Sequence, residues 1–257
     1  MTGTKNKPSV SLVGAGPGDL DLITVAGLRS IQTADVILYD ALVNKELLDE
    51  APASTIKIFV GKRAGTRYNT QDEINLLIVQ SALNYGHAVR LKGGDPFIFG
   101  RGHEELEYIK AFDIPVKLIP GISSATSLPL LQEVPLTRRD YSQSFWVLTG
   151  TTKELQLCKE LEIAADTDTT LVILMGIKKL KLIQRIFLEK GKSNLPVMII
   201  QNGSTVTEKK IVTTMTEVVR ETEKHEIGTP GIIVIGAVVS LHPEFVYTKI
   251  LANGNHR

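Results

Sequence analysis

The chemistry-bearing residues of this chain gather in a few short, glycine-rich segments. The densest is the run from Arg90 through Lys92, Gly93, Gly94, Asp95, Pro96 and Ile98 to Arg101, Glu104 and Glu105. Its glycines let a backbone approach a ligand closely. Asp95, Arg101 and Glu104 follow an apolar run that reads as a strand, and open α/β sheets bind ligands beyond the carboxyl ends of their strands. A plain connection with solvated charges needs fewer conformationally special residues than this. Val13-Gly14-Ala15-Gly16-Pro17-Gly18-Asp19 joins an apolar run to an amphipathic segment and invites a dinucleotide-binding reading. It departs from that fingerprint twice, because Asp19 takes the place of the third glycine and Pro17 removes a backbone N–H from the phosphate cradle. Pro120-Gly121-Ile122-Ser123-Ser124-Ala125 offers hydroxyls for a ligand or for capping a helix, and Pro135-Leu136-Thr137-Arg138-Arg139-Asp140 sets two guanidinium groups together, as carboxylate recognition requires.

These loops need elements to hold them. In the first half, short apolar runs alternate with amphipathic stretches, the pattern of a mostly parallel sheet with helices packed over it. Strands are expected at 10–13, 36–39, 56–60, 88–91 and 116–119, with helices at 24–33, 71–85 and 104–112. A second series has strands at 145–148, 171–174, 197–200, 211–215 and 232–235 and helices at 178–189 and 216–224. The polar stretch 135–143 is the expected boundary, giving an N-terminal α/β domain over 1–141 and a C-terminal one over 142–257.

Length and composition agree with an ordinary soluble globular protein. The 257 residues are 43% hydrophobic and 22% charged, with a net charge of +1. Such balance argues against a surface that tracks nucleic acid, so an anionic ligand has to be met locally. The single cysteine, Cys158, excludes a disulfide framework, and the five histidines form no zinc motif, so no metal is expected. The longest apolar run, 232–241, is far short of the ~20 residues that cross a bilayer, and the polar start has no signal-peptide core. The expectation is a cytoplasmic protein without nucleic-acid or membrane partners.

Taken in order, the segments 13–19, Tyr39-Asp40-Ala41-Leu42-Val43, Val60-Gly61-Lys62-Arg63, 90–105, 120–125, 135–139, Met175-Gly176 and Gly228-Thr229-Pro230 resemble the tetrapyrrole methyltransferase family. Within it they are most similar to the branch that methylates uroporphyrinogen III on carbon. The resemblance implies two α/β domains with mixed sheets and an inter-domain cleft for S-adenosylmethionine. It implies cofactor contacts at Pro17, Gly93, Gly94, Asp95, Ile98, Ser123, Ser124, Met175 and Gly203. The implied reaction moves two methyl groups to ring carbons, giving S-adenosylhomocysteine and precorrin-2 on the way to sirohaem or cobalamin. By the same resemblance Asp40 accepts a proton and Lys62 donates one. Arg63, Arg67, Arg101 and Arg139 meet the substrate's carboxylates, Glu104 accepts from pyrrole N–H groups, and Met175 packs against the macrocycle. A homodimer is also implied.

Three positions depart from the family pattern: Arg138 in place of a usual His, Thr151 where a His follows the Thr-Gly turn, and Glu208 in place of a Gln. The chain carries no NAD-binding dehydrogenase and ferrochelatase module, so methylation alone is expected. Two rival readings stay open: a methyltransferase acting later on the corrin ring, and a nucleotide-dependent oxidoreductase or sensor built on the first loop, for which Asp40 lies about 20 residues on, where a ribose-binding acid belongs.

Overall fold

The computed structural model describes residues 7–61, 70–152 and 156–245, and the chain divides into two compact units, Met1–Ser123 and Ser124–Arg257. In the first, strands β1 (Ser9–Gly14), β2 (Val36–Tyr39), β3 (Ile56–Phe59), β4 (His87–Lys92) and β5 (Val116–Ile119) form one sheet in the order β3-β2-β4-β1-β5. Every pairing in it is parallel. Helices α1 (Val25–Ile31), α2 (Gln71–Tyr85) and α3 (Gly102–Lys110) lie between the strands in sequence. Successive residues of a strand point to opposite faces, and both faces here are covered. Val10, Leu12, Val36, Leu38 and Ala88 pack with α2 and α3, while Val13, Ile37, Val89 and Leu91 pack with Ile31, Leu47 and Leu48. The long helix α2 starts at a capping box, in which Thr70 and Glu73 each accept the other's backbone N–H, and stops at Gly86.

In the second unit, β6 (Phe145–Thr149), β7 (Thr170–Leu174), β8 (Pro196–Gln201), β9 (Lys209–Thr214) and β10 (Gly231–Ile235) form a mixed sheet, order β6-β7-β10-β8-β9. Only β6 and β7 run parallel; the other pairings are antiparallel. Its helices are α4 (Ser124–Leu131), α5 (Glu160–Ala165), α6 (Leu180–Glu189) and α7 (Val218–Lys224).

The division at 123/124 differs from the expected one at 141/142. The reason is apolar burial: Ala125, Leu128 and Val134 join the core of Val172, Met198, Ile200 and Ile232, so α4 and the polar stretch after it belong to the second unit. Within the segment 135–143 residues 137–141 are exposed, and the turn is tied by a pair of bonds between Arg138 and the buried Ser142.

Candidate active site

All strands of the first sheet run the same way, so the loops after β1, β2, β4 and β5 emerge on one edge. They meet at backbone contact. Gly16 and Gly94 exchange N–H···O bonds of 3.3 and 2.7 Å, and the Asp95 carboxylate accepts from Gly121 N at 3.0 Å and from Phe97 N at 2.8 Å. A Cβ at Gly121 would stand 2.1 Å from Gly94 O and 2.6 Å from Gly14 Cα, so only glycine allows the three loops to cross there. Gly94 differs: its φ is +67° and a Cβ would meet no atom within 4 Å, so there is open space where a side chain would lie, while its N–H and C=O are both bonded to Gly16. Phe99 and Arg101 hold the rest of the β4 loop in left-handed conformations, leaving Phe97, Ile98 and Phe99 exposed.

The first loop does not lead straight into a helix. Asp19 caps a short 3-10 turn, Leu20–Leu22, by accepting from Asp21 N, and α1 starts only at Val25 behind its own cap, Thr24. No α-helix N-terminus therefore follows directly on Pro17 and Gly18, which removes the main physical support for pyrophosphate binding.

Asp40 sits at the carboxyl end of β2 with its side chain 25% exposed. Its Oδ1 accepts from Leu42 N at 3.1 Å, and Oδ2 faces a guanidinium nitrogen of Arg90 at 3.6 Å. The other expected proton carrier, Lys62, lies outside the described residues, as do Arg63 and Arg67. Arg101 and Glu104 are exposed and bonded to each other at 2.9 and 2.6 Å, so the two expected substrate contacts hold one another here, and this bond raises the Arg101 pKa. Ser123 is buried, and Ser124 opens α4.

In the second unit, Met175 follows β7 with φ +58° and is 51% exposed, an uncommon combination for a methionine. Its carbonyl accepts from Thr151 Oγ1 at 3.1 Å, so the threonine that departs from the family pattern ties this loop in place. Gly203 is buried against Leu128 of α4. Glu208, another departure, closes the preceding turn by accepting from Ser204 N at 2.7 Å and from Gln132 at 2.8 Å. Arg139 is exposed, and Arg138 stacks on the Tyr141 ring at 5.1 Å. Cys158 is buried, which pushes its thiol pKa up and leaves it a packing residue.

One cluster escapes the motif reading. Arg90 and Lys92 of β4 are 3% and 4% exposed, and both bond Glu105 of α3, at 3.1 and 2.9 Å. Burial pushes the Lys92 pKa down, the Arg90 charge adds to the fall, and Glu105 opposes it. The signal for this cluster was periodicity. Arg90 and Lys92 share the strand face of Ala88, and Glu105 falls on the buried stripe of Gly102, Leu106 and Ile109.

Relatives place the chain in a family. Residues 9–219 match the family described as Tetrapyrrole (Corrin/Porphyrin) Methylases. The uroporphyrinogen-III C-methyltransferase of Methanocaldococcus jannaschii is 43% identical over 234 residues, 90% of this chain and 97% of that one. The siroheme synthase of Escherichia fergusonii is 42% identical over 240 residues, 92% of this chain but 51% of its own, so the chain spans about half the length of such relatives. A crystal structure of the Thermus thermophilus uroporphyrin-III C-methyl transferase with S-adenyl homocysteine superposes with a TM-score of 0.78 at 34% identity, over 91% of this chain and 99% of that one. With most of its length matched, the chain belongs to the tetrapyrrole (corrin/porphyrin) methylases.

Proposed function

We propose that this protein is an S-adenosylmethionine-dependent C-methyltransferase that converts uroporphyrinogen III to precorrin-2. The observation that carries the reading is the glycine crossing at Gly14, Gly94 and Gly121, with open space where a Gly94 side chain would lie, in a chain that resembles a S-adenyl homocysteine-bound relative along its length. Open space of this kind suits an adenosine and amino-acid ligand, because it can lie against the glycine Cα without an intervening side chain. In the first unit the proposed cofactor contacts are Pro17, Gly93, Gly94, Asp95, Ile98 and Ser123. In the second they are Ser124, Met175 and Gly203. Asp95 acts by holding the β4 and β5 loops together as much as by facing the ligand.

S-adenosylmethionine supplies a methyl group on a sulfonium centre and departs as S-adenosylhomocysteine. Asp40, held at one oxygen by the Leu42 amide and partly open to solvent, accepts the proton that the ring system releases as the carbon–carbon bond forms. Lys62 is the proposed donor. Arg63, Arg67, Arg101 and Arg139 are the proposed carboxylate clamps. For Arg101 this means exchanging Glu104 for a substrate carboxylate, a small cost, since an exposed pair contributes about 0–1 kcal/mol. A homodimer in the cytoplasm is part of the same proposal, and light scattering of the purified protein tests the dimer.

The test of function is anaerobic incubation with labelled S-adenosylmethionine and uroporphyrinogen III. Mono- and dimethylated tetrapyrroles are expected, and their absence refutes the assignment. Methylation of a corrin precursor instead would favour the rival within the family.

A further inference from the structure

The buried cluster beneath Asp40 has a geometry that simple charge pairing does not require. Strand β4 lies between β1 and β2, so its side chains have no sideways path to water. On its α2/α3 face Ala88 is followed by Arg90 and Lys92 where the rest of the layer is Val10, Leu12, Val36, Leu38 and Ile78. Burying such charges is costly, and apolar side chains of the same size often serve stability as well or better. Stability alone therefore gives no reason for cations at these two positions.

The contacts run in one direction. Glu105 is 0% exposed and presents one oxygen, Oε1, to Arg90 Nε at 3.1 Å, Lys92 Nζ at 2.9 Å and Gln71 Nε2 at 3.3 Å. Its other oxygen has no hydrogen-bond partner among the described residues. Arg90 is held further along by the carbonyls of Leu91 at 3.0 Å and Leu38 at 3.5 Å. Its last nitrogen reaches Asp40 Oδ2 at 3.6 Å. The guanidinium is planar and presents its donors in a rigid fork, so clamping one side determines where the other points. Asp40 is the only member of the ion cluster with substantial access to solvent. The chain of contacts begins at a fully enclosed carboxylate and ends at the carboxylate proposed to take the proton.

We infer that Arg90 and Glu105 are positioning residues for Asp40: Glu105 locks the Arg90 guanidinium, which holds one Asp40 oxygen while the Leu42 amide holds the other. Lys92 supplies the second cation at Glu105, which shares Arg90 with Asp40. This rests on the proposed role of Asp40, and it predicts that Arg90 acts on the reaction only through that carboxylate.

The experiment is a kinetic double-mutant cycle in the full-length protein. Arg90→Met is expected to lower kcat by about tenfold or more, since small misplacements of a reacting group are costly, with KM for uroporphyrinogen III changed by less than about threefold. In an Asp40→Asn background the same change should lower the residual rate by less than about twofold. Losses that multiply in the double variant overturn the inference. Arg90→Lys keeps the buried charge but loses the fork, so its rate should stay near that of Arg90→Met; recovery to the wild-type rate shows charge balance alone and overturns it. Should Arg90→Met fail to fold, Glu105→Gln takes its place, with the same loss expected to vanish in the Asp40→Asn background. Should the wild type methylate no tetrapyrrole, the functional reading fails by itself. The cycle is then read from urea unfolding constants, where Arg90→Met and Asp40→Asn should couple by about fivefold or more, and an absence of coupling overturns the positioning contact.

Discussion

Replacing Gly121 with alanine tests the loop crossing directly. The added Cβ would stand 2.1 Å from Gly94 O, 2.6 Å from Gly14 Cα and 2.8 Å from Gly14 C. Even a weak C–H···O contact needs about 3.3 Å between carbon and oxygen, so a loop has to retreat by roughly 1 Å. Every neighbour named is backbone, and none can rotate away. A retreat stretches the Asp95–Gly121 bond of 3.0 Å and the Gly16–Gly94 pair of 3.3 and 2.7 Å. Overpacking costs about 1–3 kcal/mol and each of the three weakened bonds about 1 kcal/mol, so Gly121→Ala should lower unfolding stability by about 4–6 kcal/mol. It should also weaken S-adenosylhomocysteine binding by about tenfold or more, because the displaced backbone is the proposed cradle. Gly191→Ala is the control: φ is +72° there, but a Cβ meets nothing within 4 Å, so the loss is the conformational cost alone, about 1–2 kcal/mol, with binding unchanged. Urea unfolding and ligand titration read both effects. A Gly121→Ala protein as stable as wild type and equally able to bind S-adenosylhomocysteine would refute the three-loop contact.

Met175 and His242 give two further expectations. A methionine at φ +58° carries about 1–2 kcal/mol of backbone strain, so Met175→Gly should leave the urea midpoint unchanged or higher while KM for the tetrapyrrole rises; a lower midpoint with an unaltered KM would make Met175 a packing residue. His242 is 2% exposed, and its Nδ1 accepts from Glu244 N at 3.1 Å, a bond that protonation removes. Burial lowers its pKa below 6.5, the Lys210 charge lowers it further, and Glu244 and Glu133 oppose. The native state then binds fewer protons than the unfolded chain between the lowered value and 6.5. Its contribution is present above 6.5 and lost as pH falls through the native value, so the stability of wild type relative to His242→Gln should drop on acidification by at most about 1.4 kcal/mol per pH unit. A pH-independent difference would show that His242 does not titrate in this way.

The elements were legible where pattern and punctuation coincide. The strands at 36–39 and 116–119 and the helix at 71–85 stand at the expected bounds, because short β-branched runs stop at polar turns and Thr70 with Glu73 marks a helix start. The domain boundary was misplaced for a physical reason. Polarity marks where a chain meets solvent, whereas a domain ends where its core ends, and Leu128 and Val134 had already joined the second core. The site was legible in its loops and illegible beneath them. Glu104 and Glu105 are identical in type, yet one is half exposed with Arg101 and the other is enclosed with Arg90 and Lys92. Only helical phase separates them, and adjacent acids read most simply as one solvated face.

The two units place their loops by the same device. In the first sheet, the neighbours β1 and β5 end at Gly14 and, after Pro120, at Gly121, where each glycine's missing Cβ would lie within 2.6 Å of the other's Cα. In the second, β6 and β7 end at Gly150 and, after Met175, at Gly176, and a Cβ at Gly150 would lie 2.3 Å from Gly176 Cα. Adjacent parallel strands discharge their loops on the same edge, while antiparallel neighbours discharge them on opposite edges. The second sheet has a single parallel pair, and that pair carries Met175. Glycine at both strand ends lets the two loops touch through their backbones, so the residues beside them can be held without a side chain's thickness between. Met175 keeps its left-handed backbone there because Thr151 holds its carbonyl from the facing loop and Gly150 N bonds Leu174 O at 2.7 Å on the residue before it. The strain at Met175 is thus borne by the parallel strand ends of β6 and β7, whose loops meet through their backbones.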